Sequence, residues 1–125
     1  MTTLQLKNHQ IWQDLTEILE NLDTNSLVQK HLQQCCYTIN GYWDEQDEYY
    51  DSISLPHTIE AELVSSFVGV TEDKHFLKLQ FSIMNFLENI GELVLIYNEN
   101  LELVDENWLL DIDSPLLNKR QVTNT

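Results

Sequence analysis

Between Gly41 and Asp51 the chain gathers five carboxylates, Asp44, Glu45, Asp47, Glu48 and Asp51, and no base. Two large rings stand on each side of the densest part, Tyr42 and Trp43 before it and Tyr49 and Tyr50 after it. Carboxylates this crowded suit three kinds of chemistry. They hold a divalent cation, they share a proton as an acid–base pair, or they draw in a basic surface. Calcium loops of the EF-hand type need oxygen ligands at alternating positions, a central Gly and a closing Glu. The run from Asp44 to Asp51 has neither the Gly nor the spacing, and Asp111-Ile112-Asp113 starts the rhythm only to meet Pro115 and Leu116. Acid–base catalysis has no signature either, since 21 acids always offer some pair.

Other chemistries find less. His31 and Cys35 are four apart, but His9, His57 and His75 are isolated, without the paired spacing of a zinc site. No Ser sits between glycines as in a nucleophile elbow, and no glycine-rich loop cradles phosphates. No catalytic residue, metal site or cofactor is therefore assigned. Cys35 and Cys36 are adjacent and have no third cysteine, so no disulfide framework is expected.

Charge sets the class of partner. There are 21 acids against 6 bases, a net charge of -15, and neither His31–Asp73 nor Leu79–Asn118 contains a Lys or Arg. Such a surface repels phosphate backbones and anionic lipids and attracts basic proteins. The expected partner is a basic protein, with no direct nucleic acid and no membrane; a homodimer is compatible with this. Tyr and Trp give large contact area with few rotors to freeze, so Tyr42, Trp43, Asp44, Glu45, Asp47, Glu48, Tyr49, Tyr50 and Asp51 form the candidate partner-binding set. Tyr50 and the acids are expected at the surface, whereas Trp43 suits a core as well as an interface. The function expected is a small acidic, non-enzymatic module of the inhibitor, antitoxin, immunity or adaptor kind. One version would present carboxylates in place of nucleic-acid phosphates. The alternative is a ligand- or calcium-responsive domain, or a small enzyme with a cavity between sheet and helices.

The elements that position these residues follow from periodicity. Leu4, Ile11, Leu15, Ile18, Leu19 and Leu22 predict an amphipathic helix, and Asp23-Thr24-Asn25-Ser26 caps a second one carrying Leu27, Val28 and Leu32. A strand over 35–43, an acidic turn and a return strand over 49–55 come next, with Gly41 as a bulge; Asn40-Gly41 is the competing turn. Pro56 suits the first position of a helix buried through Ile59, Leu63, Val64 and Phe67. Residues 75–87 fit both periods, and the alternation of Leu77, Leu79, Phe81 and Ile83 favours strand. Leu93–Tyr97, a turn at Asn98–Asn100, Leu101–Val104 and an element at Trp108–Leu110 complete a meander.

The result is one α+β domain over 1–118, with N-terminal helices on an antiparallel sheet in the order α-α-β-β-α-β-β-β, and a flexible tail over 119–125. That element order is similar to the cone-shaped cystatin-like and nuclear-transport-factor-like folds, which implies a cone able to enclose a small pocket. The start of the chain lacks a basic region followed by an apolar stretch, and no apolar run approaches the roughly 20 residues of a membrane span. A soluble, cytoplasmic protein without a signal peptide is expected.

Overall fold

Asp23 is the N-cap of the helix that opens the continuous described stretch. Its carboxylate accepts from the Ser26 backbone N–H at 3.1 Å and the Ser26 hydroxyl at 2.8 Å, so the helix α1, Thr24–Gln34, starts where the capping residues predict. These two bonds hold the Asp23 carboxyl below its ordinary range. The computed structural model describes Glu17 and residues 23–121. The helix expected over Leu4–Leu22 lies, apart from Glu17, outside the described residues.

Seven strands follow α1: β1 Thr38–Trp43, β2 Tyr49–Ser54, β3 Ile59–Thr71, β4 Lys74–Asn85, β5 Glu88–Tyr97, β6 Leu103–Leu110 and β7 Asn118–Arg120. They form two antiparallel sheets, one in the order β1-β2-β7 and one in the order β3-β4-β5-β6. The class is mixed α and β, with one helix, α1, within residues 23–121. The expected helix after Pro56 is instead the long strand β3, and the single expected sheet is two. These corrections remove the element order on which the likeness to cone-shaped folds stood.

The error over β3 has a local cause. Ile59, Ala61 and Leu63 pair opposite Asn85, Ile83 and Phe81, and then the register slips between Leu63 and Ser65, so that Ser66 and Val68 face Leu79 and Leu77. Val64 is the extra residue. An inserted residue shifts the period of two by one position, and the resulting spacing of apolar residues imitates a helix. By contrast β4 keeps its alternation, and Leu77, Leu79, Phe81 and Ile83 are all buried as expected of a strand. Each such side chain contributes about 2–3 kcal/mol through burial.

The inner face of the four-stranded sheet carries the core. Val28 and Leu32 of α1 are fully buried in the same cluster. Gln29 donates to the Ile59 carbonyl at 2.7 Å and Asn25 accepts from the Ala61 N–H at 3.0 Å, which occupies free backbone groups along the β3 edge. Further along, His31 bonds Glu106 on β6. The helix therefore reaches from one edge strand to the other. Tyr37 then turns the chain into β1; its hydroxyl donates to Gln29 at 2.8 Å and its ring stacks on His57 at 4.2 Å.

Two smaller expectations also change. The register of β1 on β2 runs from Asn40↔Ser52 to Tyr42↔Tyr50 without a slip, so Gly41 is not an inserted bulge, although its φ of 70° suits a glycine. At the other end of the chain, Lys119 and Arg120 lie in β7, paired with Ile53 and Ser52, where a flexible tail was expected. No helix among the described residues is long and apolar enough to cross a membrane.

Candidate partner-binding site

The acidic segment is the turn between β1 and β2, as expected. Its frame is built by one carboxylate. Asp44 Oδ1 accepts from the backbone N–H of Gln46 at 2.8 Å and of Glu48 at 2.9 Å, while the Asp44 N–H donates to the Glu48 carbonyl at 3.0 Å. Asp47 takes a left-handed φ of 60°, a conformation that Asp tolerates better than bulky residues. Asp44 is thus a folding residue first.

The rings divide into two pairs. Trp43 and Tyr49 face each other across the last rung of the hairpin, with centroids 5.0 Å apart, and are 63% and 42% exposed. Tyr42 and Tyr50 point the other way and are buried. The Tyr42 hydroxyl accepts from the Leu110 N–H at 3.0 Å, which ties β1 to β6. Tyr50, expected at the surface, is only 5% exposed. Alternation in a strand makes this unavoidable, because Trp43 and Tyr49 take the outer side and their neighbours must take the inner one. The Tyr50 hydroxyl lies 3.3 Å from Asp44 Oδ2 and 3.2 Å from Glu48 Oε2. Burial first, and these two carboxylates next, push its pKa up to about 12.

The five acids differ in exposure, and Asp44 and Glu48 are already engaged by the Tyr50 hydroxyl. Glu45, Asp47 and Glu48 are exposed, Asp44 and Asp51 half-buried. Neither ion pair among the described residues, His31–Glu106 or His75–Glu99, involves an acid of this turn. The segment does not act alone. A groove of about 350 Å³ runs between it and the turn after β6, with Asp44 and Glu45 on one wall, Asp111 and Asp113 on the other, and Leu109, Leu110 and Ile112 between them. The nearby Lys119 ammonium donates to the Ile112 carbonyl.

Asp111 and Asp113 were weighed in the sequence only as a failed calcium loop. Their role as a second wall depends on the Tyr42–Leu110 bond, which joins segments 68 positions apart, and no local pattern announces it. Among the described residues no group of three or more His, Cys, Asp or Glu side chains converges as metal ligands would. Comparison with family models, with curated proteins and with solved structures finds no match for this chain.

Proposed function

We propose that the protein is a non-enzymatic acidic binding module, of the inhibitor, antitoxin, immunity or adaptor kind, that docks on a basic protein surface. The observation that carries this reading is the groove walled by carboxylates from two separate turns, with apolar side chains between them and the exposed Trp43–Tyr49 pair closing the same hairpin. Unneutralised carboxylates steer a basic partner into encounter, and a ring pair supplies contact that survives salt. A Lys or Arg side chain entering the groove would lay its aliphatic stem on Leu109 and Ile112 and its charge between Glu45 and Asp113. In the phosphate-mimicking version, this array blocks a nucleic-acid site on the partner.

The test separates binding acids from folding acids. Glu45, Asp47, Asp111 and Asp113 are neutralised together as Gln and Asn, leaving Asp44 and Glu48 to hold the first turn and an amide oxygen at 111 to accept from the N–H of residue 113, as the Asp111 carboxylate does at 3.3 Å. A basic protein retained from a host extract by the wild-type chain, at low and moderate salt, is expected to be lost by this variant. Retention by both chains, or by neither, counts against the reading. Release of the retained protein by added nucleic acid distinguishes the phosphate-mimicking version.

A further inference from the structure

The four-stranded sheet ends in two edge strands, β3 and β6, whose outward backbone groups need partners. At β6 the Asp111 N–H reaches the Ile90 carbonyl, so alternation turns Glu106, Trp108 and Leu110 outward. Much of this edge is closed within the chain. The Tyr42 hydroxyl accepts from the Leu110 N–H at 3.0 Å, and Asp105 Oδ1 accepts from the Glu106 N–H at 2.9 Å. Asp105 and Glu106 also add charge along it, which discourages strand pairing.

The β3 edge is closed over only part of its length. Near its start α1 supplies the partners, as Asn25 takes the Ala61 N–H and Gln29 the Ile59 carbonyl. Beyond the slip between Leu63 and Ser65 the pattern is set from the other end. The two-residue turn Glu72-Asp73 makes Thr71↔Lys74 a hydrogen-bonded pair, so Ser65, Phe67 and Gly69 bond to β4, and Ser66, Val68 and Val70 face outward. Among the described residues no strand pairs with this side of β3. Val64, Phe67 and Val70 are exposed, and Leu63–Thr71 contains neither a charge nor a proline to guard the edge.

That chemistry defines the occupant. Alternating outward N–H and C=O groups call for an extended strand. In a chain of net charge -15, an uncharged stretch is where a second copy can approach without acid facing acid. The stretch is also complementary to itself. With a two-fold axis at Val68, Ser66 stands opposite the second copy's Val70, and Phe67 opposite its Gly69. Phe76 covers Gly69, where any Cβ would meet the ring at 2.0 Å, and its centroid is 6.0 Å from that of Phe67. The exposed Phe67 of one copy therefore finds a bare backbone and an aromatic neighbour on the other. Glu60 and Glu62 lie outside the paired span.

We infer that β3 of two copies pairs antiparallel across this axis, joining their four-stranded sheets into one. The join uses up both β3 edges and leaves the guarded β6 edges at its ends, so it closes at a dimer. Net charge opposes association, and screening by salt favours it.

Sedimentation of the full-length chain over rising concentration, at low and moderate salt, tests this together with residue-resolved amide exchange. A monomer–dimer equilibrium that strengthens with salt is expected. The Val68 and Val70 amides exchange freely in dilute solution and slow at least about tenfold in the dimer. Because Val68 faces itself across the axis, Val68→Lys and Val68→Glu each lose the dimer, and mixing the two chains restores it. Val68 packs partly on the core, so Phe67→Ser, at an exposed position, is the second variant. It weakens the dimer at least about tenfold. A wild-type chain that stays monomeric up to about 1 mM overturns the inference. So do species that grow beyond two, and a dimer that Val68→Lys and Phe67→Ser leave intact. Val68 and Val70 amides already protected in the monomer also overturn it, since the edge would then be covered within one chain.

Discussion

Two turns of this molecule share one frame and differ in what surrounds it. In the first, Asp44 Oδ1 accepts from the third and fifth residues at 2.8 and 2.9 Å. In the second, Asn98 Oδ1 accepts from Asn100 and Glu102 at 2.9 and 3.0 Å. The closing bonds also correspond, 3.0 Å from Asp44 to Glu48 and 2.9 Å from Asn98 to Glu102, and the fourth residue has a φ of 60° in both. The residues around this frame diverge. Glu99, the second residue of its turn, accepts from the His75 N–H at 2.7 Å, with Lys74 nearby. Its counterpart Glu45 has no ionic partner among the described residues. One turn is a joint between hairpins; the other uses the same joint to hold carboxylates and rings in solvent. The frame therefore does not require the acids at 45 and 47, since Leu101 holds the place of Asp47 in the second turn and Glu99, in the place of Glu45, bonds His75 and not the frame.

The largest expected effect concerns the frame itself. Asp44→Ala and Asn98→Ala each leave two backbone N–H groups without their acceptor and should each lower unfolding free energy by about 2 kcal/mol. Asp44→Asn keeps the accepting oxygen and should cost less than half as much in the same denaturant titration. Equal damage from Asn and Ala at 44 would show that charge, not geometry, holds the first turn.

A tyrosine beside each turn sharpens the contrast at high pH. Tyr50 and Tyr97 both have pKa values pushed up to about 12, the first by burial with Glu48 and Asp44 adding, the second by burial alone. A folded-state pKa above that of the unfolded chain means the folded state keeps its proton longer. Stability is therefore complete below about pH 10 and falls as pH rises towards 12. Tyr50→Phe and Tyr97→Phe should each flatten that fall in pH-dependent unfolding. Added salt should reduce the Tyr50 contribution alone, since only that one has an ionic part.

The acid limb gives a smaller effect with the opposite sign. The His75 backbone N–H holds the Glu99 carboxyl below its ordinary range, with the His75 side chain and Lys74 adding. Its contribution is present above the unfolded pKa and is lost as pH falls through the folded one, from about pH 5 downward. Glu99→Gln should flatten this limb in acid unfolding.

Much of this was legible before the structure. The Asp23 cap, the acidic turn, the strand at β4 and the meander follow from capping chemistry and alternation, which are local. The frame shared by the turns was not read from the sequence, because Asp-Glu-Gln-Asp-Glu at 44–48 and Asn-Glu-Asn-Leu-Glu at 98–102 share only Glu at the second and fifth places, and the bonds to Asp44 and Asn98 reveal it. β3 was hidden because Val64 breaks its alternation. The second wall of the groove, at Asp111 and Asp113, was hidden because a single long-range bond from Tyr42 places it. Tyr50 was misjudged by treating the rings as one patch, when alternation sends neighbours to opposite sides.

The most direct measurement pairs affinity with stability for two carboxylates that hold the same place in the two turns. Glu45→Gln and Glu99→Gln chains are titrated with a Lys- and Arg-rich peptide, and their unfolding is followed at neutral and acid pH. The account predicts that Glu45→Gln weakens peptide binding severalfold with unchanged unfolding, and that Glu99→Gln alters acid unfolding while binding as the wild type does. Equal loss of binding in both would mean that only net charge attracts the peptide, and would contradict the division of labour between the turns.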